Sequence, residues 1–302
     1  MSQFKLKNIP AQTGKIAIVT GANSGLGFET ALGLAQVGYK VVMASRNQEK
    51  TEKAKERIQK KVAGAALDII LLDLNELAAV RKFADEFLAK YDRLDLLVNN
   101  AGLMVPPYQK TADGFESQIG INHLGHFLLT GLLIDILNKT PGSRVVSLSS
   151  IAHKNGKIQF DDFHYEKKYS AQSAYSQSKL ACLMFAYELQ RRLDKKEYQV
   201  KSVAAHPGVA MTNLMQYLPS FMVKVGKVVG PLLLQPPKMG AMPTLRAALD
   251  PTVVGGEYFG PSGFGEIKGP PEQVNSTRRS RDREVASKLW TLSEKETGIK
   301  FL

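Results

Sequence analysis

Residues 18–36 read IVTGANSGLGFETALGLAQ, and this stretch decides the fold. An apolar run ends at Thr20, a loop carries Gly21, Gly25 and Gly27, and a helical pattern follows. Three glycines in a strand-to-helix turn have separate tasks. One permits the tight turn, one lets backbone approach a pyrophosphate, and one lets the helix pack closely. The free N–H groups and positive dipole end of the helix then favour phosphate. Asn23, Ser24 and Leu26 lie in the same loop and are expected to line the same site.

The pattern repeats outward from that turn. Short runs rich in Val, Ile and Leu at 15–20, 41–44, 67–72, 94–98, 144–148 and 200–205 read as strands covered on both faces. Helix-length stretches at 25–38, 48–61, 77–91, 114–137 and 174–193 separate them. Such alternation predicts an α/β fold, a doubly wound parallel sheet, with residues 1–302 as one domain. The rhythm breaks after about residue 210. Residues 211–242 mix apolar side chains with Pro219, Pro231, Pro236 and Pro237, too interrupted for one helix and too apolar for a linker. A lid of two short helices over an apolar pocket is the preferred reading. A piece of core or subunit interface is one alternative, and peripheral membrane contact is another, since Phe221 and Met222 sit beside Lys224 and Lys227.

Bulk properties narrow the partners. The single cysteine, Cys182, excludes an internal disulfide and any multi-cysteine metal cluster. The N-terminal stretch lacks the apolar core of a signal or anchor, and no later run has the uninterrupted apolar length of a spanning helix, so a cytoplasmic location is expected. The net charge of +12 invites anionic partners. Its densest cluster, Arg278, Arg279, Arg281 and Arg283, includes Asp282 and no interleaved aromatics, which reads as a solvated face and not as a nucleic-acid site.

The end of the second strand selects the cofactor. NAD-binding sites usually place an acid there to hold the ribose 2′-hydroxyl. This chain has Ser45 followed by Arg46. An acid repels a 2′-phosphate, whereas a hydroxyl and a guanidinium can bind one. NADP(H) is therefore expected.

With TGANSGLG at 20–27 stand NNAG at 99–102, Asn122 within INHLGHFLLT, SLSS ending at Ser150, YSQSK at 175–179, and HPGV at 206–209 with Thr212 beyond. In this order the motifs resemble the short-chain dehydrogenase/reductase family over nearly the whole chain. INHLGHFLLT, SSIAH and KIQFDDF are similar to its retinol dehydrogenase-like branch, and the chain looks like a soluble bacterial-type member of it. The resemblance implies a Rossmann fold and hydride transfer to or from an apolar carbonyl or alcohol. It assigns Asp73 and Leu74 to the adenine, Asn99, Ala101 and Gly102 to the loop beside the ribose, and Pro207, Gly208, Val209 and Thr212 to the nicotinamide carboxamide. An Asp placed like Asp73 can equally cap the next helix.

A carbonyl that accepts hydride needs a proton on oxygen. Tyrosine is a poor acid at neutral pH, and a neighbouring ammonium favours its phenolate. Tyr175 and Lys179 are four apart, on one face of a helix. Lys179 is also implied to hold the nicotinamide ribose. Ser150 follows the fifth strand, where such sheets place their crevice, and can hydrogen-bond the substrate oxygen. Ser149 competes for that role, and the resemblance favours Ser150. Asn122 is implied to fix a water linking Lys179 to solvent; a helix-interior Asn can instead bond a backbone carbonyl. His153 is expected to shape the pocket wall and His206 to pack beside Pro207; neither has metal-site spacing, and no metal is expected. Cys182 reads as buried, not reactive.

The interval from Ser150 to Tyr175 is 25 residues, longer than in compact family members. It precedes the helix that builds the family's tetramer interface, so a monomer or homodimer is expected. Reduction of a carbon–carbon double bond and a non-catalytic NADP(H)-binding regulator are the competing functions.

Overall fold

The structure, a computed structural model, describes residues 4–209 and 235–302. Among these residues lies one eight-stranded sheet in the order β3-β2-β1-β4-β5-β6-β7-β8. The strands are β1 (Ile16–Thr20), β2 (Lys40–Ser45), β3 (Leu67–Leu71), β4 (Leu96–Asn99), β5 (Arg144–Leu148), β6 (Lys201–Ala205), β7 (Tyr258–Pro261) and β8 (Pro271–Gln273). All neighbours are parallel except the β7–β8 pair. The order reverses between β1 and β4, which is where doubly wound sheets open a crevice at their carboxyl ends.

The helices are α1 (Gly25–Gln36), α2 (Gln48–Lys61), α3 (Leu77–Lys90), α4 (Ser117–Lys139), α5 (Ala171–Lys195), α6 (Met242–Leu249) and α7 (Arg283–Thr297), with a single turn at Pro237–Gly240. They cover both faces of the sheet. In β1, Ile16 and Ile18 join Phe83, Phe127 and Trp290 on one side. Ala17 and Val19 join Leu34, Ile58 and Leu245 on the other. Alternate side chains of a strand point to opposite faces, so a run that is apolar throughout serves two cores at once.

Local signals set the helix ends. Asn47 caps α2 by accepting from Lys50 N at 2.8 Å, and Asp282 caps α7 by accepting from Glu284 N and Val285 N at 3.1 Å each. The expected start of the fourth helix at residue 114 is corrected to Ser117. Gly114 has φ +87°, and the Glu116 carboxylate takes the N–H groups of Gln118 and Ile119 at 2.9 Å each. Helix α4 is long and apolar enough to cross a membrane by composition, with mean hydropathy 1.4, but 83% of that window is buried inside the fold. The arginine cluster is exposed, in keeping with a solvated face.

β7 and β8 were not anticipated. Thr212 and most of the expected lid, residues 211–234, lie outside the described residues. The lid's far end is the single turn at Pro237–Gly240, which leads into α6.

Candidate active site

The glycine loop joins β1 to α1 with Gly21 at φ +68° and Gly25 at φ +54°. Gly27 has no space for a side chain: a Cβ there would stand 2.3 Å from the Gly21 carbonyl oxygen and 2.6 Å from Asn100 Nδ2. Ser24 makes no side-chain cap on α1, so no side chain competes for the first N–H groups of a 12-residue helix. Asn23 and Ser24 are partly exposed beside it, and Leu26 is buried.

Two residues that the sequence reading passed over tie this loop to the next. Thr20 Oγ1 accepts from the N–H groups of Asn100 and Ala101 at 2.9 Å each, and Asn100 Nδ2 donates to the Thr20 carbonyl at 2.7 Å. Both sit within the quoted motifs, as the first residue of TGANSGLG and the second of NNAG. Asn99, assigned to the ribose loop, is instead the last residue of β4. It is buried, with Nδ2 donating to Thr130 Oγ1 at 3.0 Å, while Ala101 and Gly102 after it are partly exposed.

At the end of β2, Ser45 Oγ is buried without a hydrogen-bond partner, and Arg46 is exposed directly after it. No carboxylate occupies either position, so the donor set fits a phosphorylated ribose. After β3, Asp73 does not cap α3. Its Oδ1 accepts from Asn75 N at 2.9 Å and closes a short turn, with Leu74 buried against Gly125.

Two of the expected catalytic side chains stand on α5. Tyr175 and Lys179 are both buried, with Lys179 Nζ 6.0 Å from the Tyr175 ring centre. Lys179 Nζ donates to the Leu148 carbonyl at 3.2 Å, which sets it at the carboxyl end of β5. Ser149 Oγ donates to the Lys179 carbonyl at 2.8 Å and is turned into the fold. Ser150 is only partly buried, and its Oγ accepts from Ala152 N at 3.2 Å, which leaves its own proton for another acceptor.

Asn122 sits in a π-helical turn, Gly120–Leu124, inside α4. Such turns insert one extra residue and often mark functional positions. Its Oδ1 accepts from Leu103 N at 2.7 Å, and its Nδ2 donates to the Leu103 carbonyl at 3.1 Å and to Ser178 Oγ at 2.8 Å. Ser178 in turn donates to the Tyr175 carbonyl at 2.9 Å. The Asn122 carbonyl meets Cys182 Sγ at 3.1 Å and His126 Nδ1 at 3.0 Å. Burial pushes the Cys182 thiol up, so this cysteine is an internal donor and not a thiolate.

His153 corrects its expectation. It is fully buried beneath the serine turn, not on a pocket wall, and its Nδ1 lies 2.7 Å from the Ser150 carbonyl. A carbonyl can only accept, so Nδ1 carries the ring proton. His206 does pack beside Pro207, and its Nδ1 accepts from Gly208 N at 3.2 Å. Gln235 N donates to the Val209 carbonyl at 3.1 Å, and Gln235 Nε2 donates to that of Pro207, so the described chain resumes on this turn.

A crevice at the switch point of a doubly wound sheet, a glycine loop on a helix N-terminus and a Tyr–Lys pair four residues apart define a dinucleotide-dependent oxidoreductase. The chain belongs to the short-chain dehydrogenase family, whose pattern matches residues 15–222. Within it the chain is retinol dehydrogenase-like. It is 41% identical over 293 residues to human Retinol dehydrogenase 13, covering 95% of this chain and 85% of that one. It is 38% identical over 303 residues to human Retinol dehydrogenase 14, covering 95% and 87%. An uncharacterized protein from Mycobacterium Paratuberculosis has a similar crystal structure, with a TM-score of 0.82 at 38% identity and full coverage of both chains.

Proposed function

We propose that this oxidoreductase uses NADP(H) to interconvert the carbonyl and alcohol forms of an apolar substrate. One observation carries the reading: the Lys179 ammonium is buried beside the Tyr175 ring at the carboxyl end of β5, next to a Ser150 hydroxyl whose proton is uncommitted. NADPH, when bound, supplies the hydride. Tyr175 gives its phenolic proton to the substrate oxygen, and Lys179 offsets the negative charge left on the phenolate. Ser150 donates a hydrogen bond to the same oxygen as charge develops there. Gly21 to Gly27 and the start of α1 would hold the pyrophosphate, and Ser45 with Arg46 would hold the 2′-phosphate. Asp73 would hold the adenine end, and the turn at 206–209 the nicotinamide end. For Asn122 the bonding supports a tie that keeps the 102–103 backbone beside Lys179 in preference to a side chain that fixes water. The substrate class follows the named alcohol of the similar retinol dehydrogenases, since retinol is apolar.

The test is NADPH and NADH oxidation on a panel of apolar aldehydes and ketones. NADPH is expected to be preferred, and Tyr175→Phe to lose turnover by about a hundredfold to ten-thousandfold while still binding cofactor. Undiminished turnover in that variant overturns the mechanism. Binding without carbonyl turnover redirects the reading to double-bond reduction or to a regulator. Arg46→Ala is expected to cut the NADPH-to-NADH preference about tenfold or more, read as the ratio of kcat/KM values.

A further inference from the structure

The loop at 262–269 connects β7 to β8, and burial of its apolar side chains does not fix it: Phe264 is 96% exposed and Ile267 38%. Polar contacts hold it instead. Ser262 N donates to the Pro270 carbonyl at 2.9 Å and Gly263 N to that of Lys268 at 3.1 Å, closing its base. The Ile267 carbonyl accepts from Val209 N at 2.9 Å. At Gly208, a Cβ would fall 2.3 Å from that same Ile267 oxygen, so the nicotinamide-side turn packs backbone against backbone on this loop.

Glu266 joins the two sides. Its Oε1 accepts from Lys154 Nζ at 2.9 Å, and its Oε2 lies 2.9 Å from His206 Nε2, close without the alignment of a hydrogen bond. Because Gly208 N donates to Nδ1 of His206, Nε2 carries that ring's proton, and its nitrogen stands 2.9 Å from the carboxylate. His206 is fully buried, with the Tyr258 ring 5.1 Å from its own and His153 edge-on to Tyr258 at 5.6 Å. Contact with His206 and Lys154 holds the Glu266 carboxyl down at about 2, so it is charged at any working pH. Glu266 also has φ +59°, a left-handed conformation that disfavours residues with a side chain. Strain of this kind persists where surrounding contacts impose it.

The two ends of this bridge stand on adjacent strands. Lys154 belongs to the short turn Ile151–Asn155 that Ser150 caps after β5. His206 follows β6, which is paired with β5 up to Leu148 and Ala205. We propose that Glu266 is a positioning residue: it ties the turn bearing Ser150 to the turn at 206–209 and so fixes the nicotinamide end of the crevice. This rests on the functional reading above.

The test compares two ligands by calorimetry: NADPH, and adenosine 2′,5′-bisphosphate, which carries the adenine end without nicotinamide. Glu266→Gln is expected to weaken NADPH about three- to tenfold and leave the bisphosphate within about twofold. Glu266→Gly removes the carboxylate while suiting the left-handed backbone, and must show the same selective loss. Lys154→Met must move NADPH in the same direction. Unchanged NADPH affinity in the Gln and Gly variants, or equal weakening of both ligands, overturns the proposal. A wild-type chain that binds neither ligand overturns the functional reading and this inference together.

Discussion

Residues 20–27, TGANSGLG, and residues 262–269, SGFGEIKG, are both eight long with three glycines, yet they are built on different principles. The first lies between a strand and a 12-residue helix and is held by close packing: the side-chain bonds of Thr20 and Asn100 and the Gly21–Gly27 contact fix it. The second closes a short antiparallel pair, turns its apolar side chains outward, and depends on one carboxylate reaching two partners from distant parts of the chain. Steric locking of the first loop begins with its own glycines, Gly21 and Gly27, and is completed by Asn100 from the end of β4. Electrostatic locking is set by whatever the tertiary fold delivers.

Both loops nevertheless rest on a buried histidine, and acid is the strongest way to compare them. Thr20 Oγ1 lies 2.9 Å from His126 Nε2, as Glu266 lies against His206. Burial pushes the His126 imidazole down to about 4 and that of His123 to about 3, and lowers His206 as well. Unfolded histidines take up protons below about pH 6.5, where the folded ones stay neutral. The unfolded chain then binds more protons, so stability falls as pH drops from about 6.5 towards 4, by about 1.4 kcal/mol per unit for each such histidine. Glu266 adds loss in the same direction at lower pH, because its unfolded carboxyl protonates near 4.3 and the folded one not until about 2. Denaturant unfolding at pH 7.5, 5.5 and 4.5 checks this; a flat profile would contradict the neutral, buried histidines.

Smaller effects sharpen the contrast at single glycines. Gly27→Ala is expected to cost about 2–3 kcal/mol of stability and to remove NADPH binding, since neither the Gly21 backbone nor Asn100 can move far. Gly265→Ala meets nothing nearer than Ile267 Cγ1 at 3.7 Å and costs only the left-handed backbone, about 1 kcal/mol. Its NADPH affinity is expected to stay within about twofold of wild type. Similar losses in the two variants, measured by thermal melts and cofactor titration, would erase the distinction between the loops.

This contrast also explains what could be read from the chain. The six strands from β1 to β6 and the long helices carry their periodicity over many residues, and the glycine loop, Ser45–Arg46 and Tyr175–Lys179 are short-range patterns. β7 and β8 span four and three residues and contain Gly260, Pro261 and Pro271, so their pairing comes from the sheet edge they join. His153 was misjudged because its tautomer and burial depend on Ser150 and Tyr258, the latter over a hundred residues away. Glu266 gave no signal at all: one acid in a glycine-rich loop acquires meaning only when Lys154 and His206 arrive beside it.

The π turn at Gly120–Leu124 divides α4 into two segments with independent phase. An ordinary helix rotates about 100° per residue, so deleting one residue at Leu132 would turn every later side chain away from the core. Deleting one residue within 120–124 would instead relax the turn to regular helix and leave Phe127 and Leu133 facing the sheet. The helix thus holds one spare residue, spent on the place of Asn122, while the packing of Phe127 and Leu133 after it follows the ordinary helical phase.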